Sequence, residues 1–207
     1  MANEWTQRWN QRYAAPEFAY GTEPNEFFRE QLSKLKPGNL LLPAEGEGRN
    51  AVFAARMGWT VSAFDISSEG KKKAEQLATA NGVSINYQVG ELDSLDYAPG
   101  QFDALALIYA HFPAPVKAAM HRALGPLLRP GGTIIFEAFS KSHLDYMARN
   151  EQLGGPKDLA SLFSIAEIRQ DFPGYEILQL EEVEVNLDEG EFHKGTGSVI
   201  RFVGKKH

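Results

Sequence analysis

The chain contains no cysteine among its 207 residues. That excludes disulfides, thiolate-bound zinc and a thiol nucleophile together; it also fits a reducing compartment, and no metal site is expected. Long apolar runs are missing as well. Nothing approaches the roughly 18 apolar residues of a membrane span, and Met1-Ala2-Asn3-Glu4-Trp5 lacks the basic and then apolar pattern of an export signal. A cytoplasmic location and no membrane partner are therefore expected. Nor is there an excess of positive charge: 21 Lys and Arg stand against 27 Asp and Glu, a net charge of −6. Nucleic acid and anionic surfaces are poor partners for such a chain. The one dense basic run, Lys71-Lys72-Lys73, reads as a solvated helix face. No internal repeat or low-complexity stretch is present.

What is present is organised around Leu40-Leu41-Leu42-Pro43-Ala44-Glu45-Gly46-Glu47-Gly48-Arg49-Asn50. The apolar run stopped by Pro43 suits a strand buried on both faces. Gly46 and Gly48 allow a tight turn, and Asn50 to Met57 favours a helix whose first N–H groups point back at that turn. Such a turn invites the polar part of a nucleotide-like ligand. Thr60 to Asp65 reads as the next strand. Asp65, about 20 positions after the glycines, is placed to accept hydrogen bonds from a ribose diol. The plainer alternative is a strand–turn–helix with a surface Asp. Gly46, Gly48 and Ala51 literally satisfy the dinucleotide pattern G-x-G-x-x-G/A, so the ligand class is open at this point.

The length and a 43% hydrophobic content suit a single domain with a full core. Residues 1–35 form a helical leader in which Trp5, Trp9 and Tyr13 share one helical face. Tyr20-Gly21-Thr22-Glu23-Pro24-Asn25 reads as a contact loop, and the leader as a lid. Glu23 to Leu35 reads as a helix with Pro24 in its first turn. Strand–helix alternation over residues 36–140 predicts a parallel sheet with helices on both faces. Its later parts are a helix over Ser67–Ala80, strands at Ser84–Val89 and Phe102–Tyr109, a helix over Ala114–Leu128, the turn Arg129–Gly132 and a strand over Thr133–Phe139. Residues 141–207 read as a helical insert, Lys141–Leu153 and Asp158–Phe172, and a closing hairpin of Glu176–Val185 and Gly197–Val203.

Taken together, Pro43-Ala44-Glu45-Gly46-Glu47-Gly48-Arg49-Asn50, Phe64-Asp65-Ile66-Ser67, Gln101-Phe102-Asp103-Ala104-Leu105 and Leu127-Leu128-Arg129-Pro130-Gly131-Gly132-Thr133 resemble the class I S-adenosylmethionine-dependent methyltransferases. The Tyr20 to Asn25 leader before a Gly-Glu-Gly-Arg-Asn loop is similar to the small tellurite-resistance and thiopurine methyltransferase-like group. The resemblance implies a Rossmann-like, doubly wound seven-stranded sheet, parallel except for an antiparallel C-terminal strand. It implies S-adenosyl-L-methionine as cofactor. Gly46 and Gly48 would admit its methionyl part, Asp65 would bind the ribose, Ile66 would lie on the adenine and Glu91-Leu92 at the adenine edge. Tyr109 would line the methionyl side, with Tyr20 closing from the leader. The chain departs from the family where Leu42 replaces an acidic residue, Ala44 the opening glycine and Glu45 a small residue. Glu45 or Glu47 then stands where it can meet the cofactor's ammonium.

Three functions follow as expectations. The first is methyl transfer to a small-molecule acceptor, which needs alignment above all and a base only if the acceptor loses a proton. His111, after the fourth strand, and His193, before the last, are the candidate catalytic groups. An antiparallel last strand begins at the rim where the parallel strands end, so the two can face one pocket; the plainer reading is two structural histidines. The second function is an NAD(P)-dependent oxidoreductase, weakened by the absence of a Tyr-x-x-x-Lys pair and of a second domain. The third is a non-catalytic cofactor-binding protein of the same fold. Tyr109-Ala110-His111-Phe112 is not the Asn/Asp-Pro-Pro-aromatic motif of adenine or glutamine methylation, which again disfavours nucleic acid.

Overall fold

A computed structural model describes residues 2–207, which divide into two compact units, one ending at Asp96 and one beginning at Tyr97. Their seven strands give a mixed sheet of the expected kind, ordered 3-2-1 in the first unit and 4-5-7-6 in the second.

In the first unit, helix α1 (Ala2–Tyr13) and the short helix α2 (Glu26–Leu32) precede strand β1 (Asn39–Pro43), helix α3 (Arg49–Arg56), strand β2 (Thr60–Asp65), helix α4 (Ser68–Ala80) and strand β3 (Asn86–Val89). β2 runs parallel to both β1 and β3. Leu40, Leu41 and Leu42 are buried, as a strand covered on both faces requires. Asn25 caps α2 by accepting from Phe28 N at 2.9 Å, so Pro24 lies before the cap and not inside the first turn. Ser67 caps α4 through Gly70 N at 3.0 Å. The buried residues of α4 fall at Gly70, Lys73, Ala74, Leu77 and Ala78, one helical stripe. Lys71 and Lys72 pair with Glu75 and Glu69 on the surface, but Lys73 is buried, which corrects the reading of the whole run as a solvated face.

In the second unit, strand β4 (Phe102–Ile108), helix α5 (Lys117–Leu124), strand β5 (Leu128–Phe139), helix α6 (His143–Met147), helix α7 (Ile165–Asp171) and strands β6 (Tyr175–Glu189) and β7 (His193–Lys206) follow. β4 and β5 are parallel, and β7 lies antiparallel between β5 and β6. The expected turn at Arg129–Gly132 is an irregularity inside β5: Phe102 pairs with Leu128 and Ala104 with Thr133, so the intervening residues loop out. Arg129 Nε pins the excursion to Asp103 Oδ1 at 2.6 Å. The helical insert is less regular than expected. Lys141–Leu153 resolves into α6 and a 3₁₀ turn, and Asp158–Phe172 into a 3₁₀ turn and α7, each restarted by its own cap, Asn150, Asp158 and Ser164. Capping side chains compete with helix continuation, which breaks these stretches. Among the described residues no helix is long and apolar enough to cross a membrane.

Candidate functional site

Two backbone links and one to a side chain assemble the first group of candidate residues at the C-terminal ends of β1, β2 and β3. Glu45 N donates to Phe64 O at 3.2 Å, Gly90 N donates to Asp65 O at 3.0 Å, and Gly46 N donates to Asp65 Oδ2 at 3.1 Å. Asp65 Oδ1 accepts from Ser67 N at 2.9 Å. The carboxylate is buried, and burial pushes its pKa up to about 6, a rise that the N–H groups of Ser67 and Gly46 limit. Glu91, exposed, and Leu92, half-buried, stand just beyond Val89, the partner of Asp65 in the β2–β3 register. Ile66 is half-buried beside them.

The glycine loop differs in detail from expectation. Gly46 and Gly48 both have positive φ, 61° and 85°. A Cβ on Gly46 would lie 2.6 Å from Tyr13 Oη, and one on Gly48 would lie 2.5 Å from Ala74 Cβ. Both glycines are thus demanded by neighbours within the protein, the leader and α4. Ala44, in the place where the family has glycine, keeps the left-handed backbone at φ 51° despite its side chain. Glu45 turns onto the start of α3: Oε1 accepts from Ala51 N at 2.7 Å and Oε2 lies 3.5 Å from Asn50 Nδ2. Burial raises its pKa to about 7. The helix N-terminus therefore holds the chain's own carboxyl. Glu47, also buried, accepts from Ala19 N and from Lys73 Nζ, both at 2.8 Å, so its carboxylate ties the leader to α4.

The leader is held against this loop throughout. Asn10 Oδ1 accepts from Ser67 Oγ at 2.7 Å, Asn25 N donates to Asn50 Oδ1 at 2.9 Å, and Tyr20 O accepts from Arg49 at 3.3 Å. The aromatic face of α1 delivers Tyr13, stacked on Trp9 with centroids 5.4 Å apart, to the surface of Gly46. Tyr87 Oη donates to Gly46 O at 2.6 Å. Tyr13, Tyr87 and Lys73 were outside the candidate set. The signal for Tyr13 was its place in the aromatic stripe; nothing local marks Tyr87.

The second group lies in the second unit. His111 and His193 both gather around Tyr109 and Phe139. Tyr109 is centred 6.5 Å from His111 and 4.6 Å from His193, and Phe139 lies 5.7 Å and 5.1 Å from the same two rings. Tyr109, the expected strand end, lies one residue beyond β4, with φ 49°. His111 Nδ1 donates to Ser161 O at 3.2 Å, which leaves the lone pair on a buried Nε2. Desolvation lowers its pKa to about 3. His193 Nδ1 lies 2.9 Å from Glu189 Oε2 across the hairpin. A third ring, His143, stacks on Phe139 at 3.9 Å; its Nε2 donates to Gly154 O and its Nδ1 accepts from Ser198 N, so it is a structural member. Glu189, four residues before His193, was missed, and that spacing within a hairpin was its available signal. Among the described residues no cluster of metal-ligating side chains occurs.

A parallel sheet with an antiparallel last strand, a glycine loop after the first strand and an acid ending the second defines the class I S-adenosylmethionine-dependent methyltransferase fold. Residues 43–132 match the model of a methyltransferase domain family. A ubiquinone biosynthesis O-methyltransferase of Colwellia psychrerythraea is 34% identical over 104 residues, covering 49% of this chain and 42% of that protein. One from Xanthomonas campestris pv. campestris is 29% identical over 150 residues, 62% of each chain. This chain thus spans about two-fifths to three-fifths of the length of these curated relatives. Among solved structures, magnesium protoporphyrin IX methyltransferase from Synechocystis with bound SAH superposes with a TM-score of 0.71 over 100% of both chains at 17% identity, a likeness of fold.

Proposed function

We propose that the chain is an S-adenosylmethionine-dependent methyltransferase acting on a small-molecule acceptor. The observation that carries this reading is Asp65. Both of its oxygens accept backbone N–H groups, and the lone pairs of a carboxylate suit the two hydroxyls of a ribose. Ile66, Glu91 and Leu92 flank it where an adenine would follow, and Tyr20 and Ala44 border the loop. The cofactor supplies an electrophilic methyl on a sulfonium; the chain's part is to hold donor and acceptor in line. Both curated relatives are O-methyltransferases, which favours a hydroxyl acceptor that must lose a proton. His193, oriented by Glu189, suits that role. His111, held neutral, is too weak a base for it and serves as a hydrogen-bond acceptor. The nicotinamide alternative gains nothing from these relatives.

The test is a screen of phenols, thiols, oxyanions of tellurium or selenium and small acids with isotope-labelled S-adenosylmethionine, read by product mass spectrometry. A methylated hydroxyl compound is expected. No product from any acceptor, with cofactor binding intact, would instead support a non-catalytic binder.

A further inference from the structure

We infer that Glu45 makes the glycine loop refuse phosphate-bearing nucleotides and reserves it for a nucleoside without phosphate; this rests on the cofactor reading above. Gly46-Glu47-Gly48-Arg49-Asn50-Ala51 spells a phosphate-binding pattern in which amides of the first helical turn hold a pyrophosphate. Here that position is filled from within. Ala51 N donates to Glu45 Oε1 at 2.7 Å, Gly48 N donates to Glu45 O at 3.3 Å, and α3 has no other acidic residue in its first turn and no side-chain bond from its N-cap, Gly48. The charge around the loop agrees. Glu45, Glu47 and Asp65 are all buried there, against Arg49 and Lys73, and Lys73 is engaged by Glu47 at 2.8 Å. A diphosphate would have to displace one carboxylate and lie beside two more, a like-charge juxtaposition that selects against it. A ligand carrying an ammonium and a sulfonium meets no such barrier. Glu45 is thus a specificity-determining residue, and the departure from the family's small residue at this position has a physical use.

The experiment is calorimetric titration of the parent, Glu45→Gln and Glu45→Ala with S-adenosylhomocysteine and, separately, with NAD⁺ at mildly alkaline pH. The parent should bind S-adenosylhomocysteine and not NAD⁺. Glu45→Gln, which keeps an acceptor for Ala51 N and removes the charge, should gain at least about tenfold in NAD⁺ affinity, and Glu45→Ala should do the same. Folded variants with NAD⁺ affinity unchanged would overturn the inference. A parent-only measurement guards against variants that do not fold: the Ala51 amide resonance should stay in place on addition of NAD⁺, and a shift of it would overturn the inference equally. Failure of the parent to bind S-adenosylhomocysteine would strike the cofactor reading alone, because the NAD⁺ arms are read independently of it.

Discussion

Ala44 and Glu45 show how single residues shape the loop. An alanine at φ 51° carries strain of about 1–2 kcal/mol, partly offset by its smaller loss of freedom on folding compared with glycine. Ala44→Gly should therefore raise stability by up to about 1 kcal/mol in urea melts, and Ala44→Val should lower it; a glycine variant less stable than the parent would refute the strain. Glu45 predicts a pH effect. Its carboxyl has a folded pKa near 7 against an ordinary 4.5, so its contribution to stability is present below about 4.5 and lost as pH rises towards 7. His111 and His143, lowered to about 3 and 4 from 6.5, act oppositely: their contribution is present above 6.5 and lost as pH falls. Glu45→Gln removes part of one side of this balance, on which Asp65, raised to about 6, remains. The variant's stability should rise more steeply with pH between 4.5 and 6.5 than the parent's, measured by denaturant melts across that range; parallel profiles would contradict the assignment. Asp65 was legible from sequence because its signal, a strand end at fixed distance from the glycines, is local. The turning of Glu45 and Glu47 inward was not, because their partners Ala51, Asn50, Ala19 and Lys73 are chosen by the folded loop.

At the level of elements, the leader is the part whose role rests most on long-range contacts. The aromatic stripe of α1 was visible as spacing alone, but its target, the surface of Gly46, lies over thirty positions away in sequence. Lys73 is the latch: its ammonium is bonded to Glu47 and to Glu17 O and lies 5.1 Å over the Phe18 ring. Lys73→Met leaves Glu47 buried without its cation, and breaking one side of a buried pair costs about 3 kcal/mol or more. Hydrogen exchange in residues 14–25 should quicken in that variant more than in α5, and added S-adenosylhomocysteine should slow it in the parent. Equal exchange in parent and variant would show that the latch does not hold the leader. Strand interiors were well marked, since buried parallel strands read as apolar runs. Boundaries were not: β5 absorbs the Arg-Pro-Gly-Gly turn, and the stretch after it breaks at capping residues whose effect depends on the surrounding packing.

For the whole molecule, the alternation of strands and helices, then a hairpin, determined the fold class, because connection rules leave few topologies for that order. The convergence of His111 and His193 on Tyr109 followed from the same rule about which strand ends share a rim. Their separate environments did not, since desolvation of His111 and the Glu189 partner of His193 arise only from packing. The proposed cofactor site depends on Asp65 as its ribose acceptor. The most direct measurement is calorimetric titration of S-adenosylhomocysteine into the parent and into Asp65→Asn, a substitution that keeps one acceptor oxygen where alanine would leave both Gly46 N and Ser67 N without a partner. A charge-assisted hydrogen bond contributes about 1.5–3 kcal/mol, so binding should weaken at least about tenfold, with the melting temperature lowered less than by alanine. Equal affinity in the two proteins, or no binding to the parent, would contradict the account.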